Sequence, residues 1–331
     1  MARSFNRSTI TRREAIRLGL VGMCCFSSLG LAACAPEDKL SQQQNGTTAA
    51  NDAPTPVAID AAAFDALIEQ GPVADAARVA KSTWATKVAQ AGKLRIGGVK
   101  TSILFSILDE KDGKVRGFDA GLSQMLTRYI VGDTQKQELT LVTSNTRESV
   151  LQNDQVDVVF ATYSITDARK KVISFAGPYY TTQQGILVTA DNTSINGLAD
   201  LANKKVAAQS GSTGPSILEK LAPEATVQEF ATDEEARGAL SQGRVDAYVI
   251  DETMQRGSIV RNPGKYKLVG ESFGPVDSYG IGVPHDSDAV QFINEFLKMI
   301  IDSGVWEKLW NITIGARTQA TKAPQPPALG V

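Results

Sequence analysis

Leu151-Gln152-Asn153-Asp154-Gln155-Val156-Asp157 is followed by the apolar run Val158–Phe160, and Leu240-Ser241-Gln242-Gly243-Arg244-Val245-Asp246 is followed by Ala247–Ile250. Leu, Val and Asp keep the same spacing in both stretches. Each reads as the end of a helix, a turn, and a strand running toward a polar loop. The loops are Thr162-Tyr163-Ser164 and Asp251-Glu252-Thr253. Two α/β lobes built alike would set these loops at the carboxyl ends of strands, where open sheets bind ligands. Asp157 and Asp246 then read as structural turn residues.

Outward from this repeat, short apolar runs alternate with helical periodicity. Leu94–Val99 and Leu139–Val142 read as strands. Phe118–Ile130 reads as a helix with Leu122, Met125, Leu126 and Tyr129 on one side. This alternation predicts α/β layers around a largely parallel sheet. Asp286-Ser287 can cap a helix carrying Val290, Ile293, Phe296, Leu297 and Ile300, and a shorter helix carries Trp306 and Trp310, which read as core. The length of 331 residues suits two domains, and a net charge of −2 gives no basic excess for nucleic acid. One histidine, His285, and three cysteines, Cys24, Cys25 and Cys34, exclude most metalloenzymes and most histidine-dependent catalysts. Neither a metal nor a cofactor is expected, and no Gly-x-Gly-x-x-Gly follows a strand.

Residues 1–33 read as an export signal. Five arginines precede a charge-free run from Leu18 to Ala33, too short and too rich in Gly and Ser for a membrane span. Leu31-Ala32-Ala33-Cys34 resembles a bacterial lipobox, in which Cys34 takes diacylglyceryl and palmitoyl groups and becomes the new N-terminus. Thr11-Arg12-Arg13-Glu14-Ala15-Ile16-Arg17 resembles a twin-arginine signal but departs from it after the arginine pair, which leaves both export routes open. Removal of 1–33 takes away five arginines and one glutamate, leaving 29 basic and 35 acidic residues, a charge of −6. Acyl chains rather than charge would then hold the protein on the extracytoplasmic face of the cell membrane. Residues 34–56 read as a disordered tether, 57–92 as a helical extension, and 317–331, with Pro324, Pro326 and Pro327, as a disordered tail.

From Lys93 to Gly315 the chain resembles the bacterial extracellular solute-binding proteins for polar amino acids that feed ABC importers. The resemblance rests on Gly117-Phe118-Asp119, on Asp157–Pro178, and on Gly304-Val305-Trp306-Glu307-Lys308-Leu309-Trp310. Gly121 stands where the first signature usually has an acid. The resemblance implies a periplasmic-binding-protein-like α/β fold with two lobes joined by two hinge strands. Lobe 1 would comprise 93–185 and 279–316, lobe 2 186–278, with hinges near 185–189 and 275–281. It also implies a monomer that captures an amino acid and presents it to a permease with its ATPase, and that is not an enzyme.

The ligand's charges organise the expected site, because each must meet a charge-assisted partner on leaving water. By resemblance Arg169 grips the α-carboxylate, for which a guanidinium offers a matched planar fork. Thr162 and Ser164 surround the ammonium. Ser212 and Thr213, in Gly211-Ser212-Thr213-Gly214-Pro215, meet the carboxylate from the second lobe at a helix start. Asp251 is the ammonium's partner. Lys100 and Arg147 are the expected cations for a side-chain carboxylate, which points to glutamate or aspartate. Phe105 and Tyr163 are placed against the ligand's aliphatic part, or in the core. If Lys100 is a surface lysine and Arg147 a structural ion-pair partner, glutamine or another polar amino acid is the alternative. An enzyme on the same fold, such as a cyclohexadienyl dehydratase, is the more distant one, with Glu148 and Glu252 near the site loops.

Overall fold

The structure is a computed structural model, and it describes residues 57–320 and 322–330. The export signal, Cys34 and the tether expected over 34–56 lie outside the described residues.

In chain order the elements are α1 Ala61–Glu69, α2 Ala76–Val79, α3 Thr83–Ala91, β1 Leu94–Gly98, β2 Thr101–Ser102, β3 Ser106–Leu108, β4 Val115–Arg116, α4 Phe118–Val131, β5 Gln137–Leu141, α5 Arg147–Gln152 and β6 Val158–Val159. There follow α6 Asp167–Lys170, β7 Ser174–Thr189, β8 Lys205–Gln209, α7 Gly214–Leu221, β9 Thr226–Phe230, α8 Asp233–Ser241, β10 Ala247–Asp251, α9 Glu252–Arg261, β11 Tyr266–Val283, α10 Ala289–Asp302, α11 Val305–Trp310 and α12 Ala316–Thr318. Eight strands form one sheet in the order β5-β1-β6-β11-β7-β10-β8-β9, and β2, β3 and β4 form a small second sheet.

The sheet has two like halves. In the first, β1 pairs in parallel with β5 and β6; in the second, β8 pairs in parallel with β9 and β10. The repeated Asp has one role in both. The Asp157 carboxylate accepts the Arg95 N–H at 2.9 Å, and the Asp246 carboxylate accepts the Lys205 N–H at 2.8 Å. Each aspartate thus ties its turn to the first strand of its own half, so the structural reading of both residues holds.

The long strands β7 and β11 run antiparallel through both halves. Their pairing is irregular between Val269 and Phe273, between Phe273 and Asp277, and between Tyr279 and Ile281. The first expected hinge segment, 185–189, is strand: Gly185, Ile186 and Leu187 pair with β10, and Ile186 to Thr189 pair with β11.

Residues 61–91 belong to the core of the first half. Phe64, Leu67, Ile68, Trp84 and Val88 are buried against Leu122, Met125, Tyr129, Phe292 and Phe296. Asp60, Asp75 and Ser82 cap the three helices through side-chain oxygens. The expected tail also differs. Arg317 is buried, with its guanidinium on the carbonyls of Val57 and Ile103, and the Gly330 N–H donates to the Gly177 carbonyl at 2.9 Å. Ala323 and Leu329 pack on the core. These anchors lie on either side of its prolines. Among the described residues no helix is long and apolar enough to cross a membrane.

Candidate functional site

The loop after β6 carries Thr162, Tyr163 and Ser164. Thr162 takes a φ of +44°, and its N–H donates to the Asp119 carboxylate at 2.9 Å. Asp119, in the first turn of α4, also accepts the Tyr179 hydroxyl at 2.7 Å, and burial pushes its carboxyl up to about 6. Backbone bonds from Ile165 N–H to Ser278 and from Gly280 N–H to Tyr163 tie the loop to β11. The loop is therefore held from behind by α4 and from the side by β11.

Thr166 caps α6 and returns Arg169 toward the loop. Arg169 donates from Nη1 to the Ser164 carbonyl at 2.7 Å and from Nη2 to the Gly211 carbonyl at 2.8 Å, and its Nε lies 3.3 Å from Glu148. It therefore spans the cleft between the two halves. Arg147 opens α5. It is buried, and Nη1 donates to the Ala161 carbonyl at 2.9 Å, while Nε has no partner among the described residues. Burial, and then the nearby Arg169 cation, lower Arg147 to about 10, so it stays charged at neutral pH. The Tyr163 ring lies under both cations, 4.1 Å from the guanidinium carbon of Arg147 and 5.1 Å from that of Arg169.

The second half contributes the turn into α7. Gly211 has a φ of +73°, which favours glycine, and a Cβ there would meet the Asn145 side chain and lie 3.0 Å from the Ser144 carbonyl carbon. The Ser212 hydroxyl donates to the Gln209 carbonyl and accepts the Gly214 N–H, which locks the turn. Thr213 donates to Asp277 at 3.2 Å. Asp251, at the end of β10, accepts from Gln184 at 2.7 Å and from the Tyr279 hydroxyl at 2.5 Å. Burial raises its carboxyl.

Of the expected residues, Arg147 and Thr162 line a small cavity of about 90 Å³ between the halves, with Ser102, Ser144, Gln209 and Met254. Ser164, Arg169, Thr213 and Asp251 are joined beside it in one polar network, and Ser212 shapes the turn that presents Thr213.

The placement of Lys100 is corrected, and Phe105 and Tyr163 take the core alternative expected for them. Lys100 does not line the cleft cavity. It lines a separate cavity of about 460 Å³ beside α1 and α4, with Asp65, Ser123 and Gln137. Side chains alternate past the end of β1, so Val99 and Thr101 face the cleft while Gly98 and Lys100 face the other side. Phe105 is fully buried, with its ring 5.3 Å from Tyr180 and 5.7 Å from Tyr279 in the aromatic core. Tyr163 is likewise fully buried and packs edge-on to Phe175 at 4.9 Å; it supports the arginines rather than an aliphatic chain. Residues the sequence did not single out are Asp277, Gln184 and Asp119 as a carboxylate behind the loop. Asp277 and Gln184 sit on the two long strands with no motif around them, whereas Asp119 stood in a quoted signature without a role. Among the described residues no cluster of three or more His, Cys, Asp or Glu side chains could hold a metal ion.

Two like α/β halves, joined by two through-running strands and meeting across one charged cleft, define a hinged two-lobed binding protein. Residues 94–314 match the model of the bacterial extracellular solute-binding proteins, family 3, and the chain belongs to that family. It is 34% identical over 216 residues to the ABC transporter glutamine-binding protein GlnH of Bacillus subtilis, covering 64% of this chain and 78% of that protein. It is 30% identical over 230 residues to the glutamate-binding protein GluB of Corynebacterium efficiens, covering 66% and 78%. An ancestral arginine-binding protein bound to arginine superposes with a TM-score of 0.62 at 34% identity, over 68% of this chain and 99% of that one.

Proposed function

We propose that this chain is an exported binding protein for an acidic amino acid, glutamate or aspartate, which it delivers to an ABC importer. It acts as a binding protein rather than an enzyme. The ligand's α-carboxylate meets Arg169, with Thr213 from the other lobe, and its ammonium meets Asp251. The observation that carries the acidic reading is Arg147. It is a buried cation in the cleft wall whose one hydrogen bond goes to a carbonyl and which no carboxylate approaches within 4 Å among the described residues. A buried guanidinium is costly until an anion compensates it, and a side-chain carboxylate supplies that anion. Closure is then favoured by contacts from both lobes to one ligand.

Calorimetric titration of residues 35–331 with glutamate, aspartate, glutamine, asparagine and arginine tests this. Selective binding of an acidic amino acid is expected. Arg147→Gln should cost glutamate affinity roughly 30-fold or more and leave glutamine less affected. Lys100→Ala should change neither, because Lys100 faces the other cavity. A loss on Lys100→Ala with none on Arg147→Gln would reverse the assignment. A second reading, glutamine, is favoured by the departure of Lys100 from the cleft and the presence there of an additional acid, Asp277. Binding of glutamine alone would establish it.

The membrane anchor belongs to the same proposal. The charge-free run and Leu31-Ala32-Ala33-Cys34 support lipidation of Cys34. Labelling cells with a fatty-acid analogue should mark the protein, and Cys34→Ser should abolish the mark. An unlabelled wild-type protein would remove the anchor and leave the binding function untouched.

A further inference from the structure

Asp277 lies on β11 between two irregularities of the strand pairing, and it is 8% exposed. Its Oδ2 accepts the Thr213 hydroxyl at 3.2 Å, whereas Oδ1 is buried with no partner among the described residues. A buried carboxylate oxygen without a donor is unfavourable, and here it sits beside the groups assigned to a ligand. Gln184, on β7, donates to Asp251 at 2.7 Å and lies 3.4 Å from the Thr213 hydroxyl. Two carboxylates, one from β10 and one from β11, thus lie at the two ends of the Gln184–Thr213 contact.

The groups facing Asp277 come from four places in the fold. From β10 it is Asp251, from α6 the Arg169 cation, from the loop after β6 the Ser164 hydroxyl, and from the turn before α7 the Thr213 hydroxyl. Tyr279, two residues along on the same strand, donates to Asp251 and so cannot serve Asp277. Arg169 is engaged by Ser164, Gly211 and Glu148. The Ser164 hydroxyl faces the same carboxylate, yet Oδ1 has no hydrogen-bond partner among the described residues. An ammonium brings three N–H donors and a compensating charge.

We infer that Asp277 is a second carboxylate of the ammonium site, sharing the ligand's amino group with Asp251, and that ligand capture releases a proton from this pair. The inference rests on the amino-acid reading above. Burial and then the charge of Asp251 push the Asp277 carboxyl up to about 7. Without ligand, one proton therefore remains on it below that pH. A bound ammonium favours the ionised form, so the proton leaves as the ligand enters. Affinity should rise with pH, by up to about tenfold per unit below pH 7, and flatten above it.

The test is titration of the full-length exported protein with glutamate, and with glutamine if glutamate is silent. It is run at about pH 5.5, 6.5 and 7.5, each in two buffers of different ionisation enthalpy. Wild type is expected to release close to one proton per ligand at the lowest pH and progressively less at the two higher values. Asp277→Asn should release none, lose most of its pH dependence, and bind roughly tenfold or more weakly at the highest pH. Asp277→Glu should retain the proton release. Wild-type affinity and pH profile in a folded Asp277→Asn would overturn the inference while the amino-acid reading stands. So would a wild type that binds amino acids without releasing a proton, a result that needs no variant to fold. A wild type that binds neither glutamate nor glutamine is titrated with aspartate, and silence there too overturns both.

Discussion

Arg169→Ala should weaken amino-acid binding by roughly 100- to 1000-fold, the range for truncating one partner of a buried hydrogen-bonded charge pair. All three faces of this guanidinium are in use: Nη1 on the Ser164 carbonyl, Nη2 on the Gly211 carbonyl across the cleft, and Nε beside Glu148. Backbone carbonyls are weaker acceptors than a carboxylate, and an α-carboxylate matches the planar fork with both oxygens. On the proposed reading the substitution removes the ligand's main anion partner, and it also removes the Arg169–Gly211 link between the lobes. Arg169→Lys keeps the charge but not the fork, and it should recover only a small part of the affinity. Calorimetry measures the loss, and a melting curve separates it from unfolding. Affinity within tenfold of wild type in a folded Arg169→Ala would take Arg169 out of the ligand's path.

Gly117→Ala should destabilise the fold by about 3–5 kcal/mol, in the range reserved for named structural failures. Gly117 has a φ of +142°, and a Cβ there would lie 2.3 Å from the carbonyl carbon and oxygen of Phe105 and 2.7 Å from the Ser106 nitrogen. All three are backbone atoms, pinned by the bonds from Phe118 N–H to Leu104 and from Ala120 N–H to Phe105. No rotamer change relieves the contact. Gly132→Ala is the control, since its φ of +85° carries strain but nothing lies within 4 Å. Denaturant unfolding of both variants gives the comparison, and equal losses would mean that strain, not the contact, sets the cost. The effect should reach the cleft, because Asp119 stands two residues on and holds the Thr162 N–H.

The two variants probe different kinds of information. Gly117-Phe118-Asp119 and the two Leu-x₄-Val-Asp turns are local, and their meaning survives inspection of a short window. A turn that returns a carboxylate to a neighbouring strand needs an Asp at one spacing, and both copies have it. Arg169 was placed by the family resemblance, and in the structure a cap at Thr166 and a short helix set its direction. Lys100 was misplaced by one step of strand alternation, because a sequence shows that a strand ends there but not which face its next side chain takes. Phe105 and Tyr163 were ambiguous because an aromatic near a site packs equally well on ligand or on core, and only their complete burial decides.

The sequence by itself determined the α/β class, the repeated half, the turn aspartates and the residues whose roles are set by their immediate neighbours. The tertiary structure alone decided what depends on β7 and β11 running side by side through both lobes. Their antiparallel pairing brings Gln184, Asp277 and Tyr279, separated by up to 95 positions, to the end of β10 and its Asp251. No local pattern encodes that meeting, because it depends on the register between strands that lie far apart in the chain.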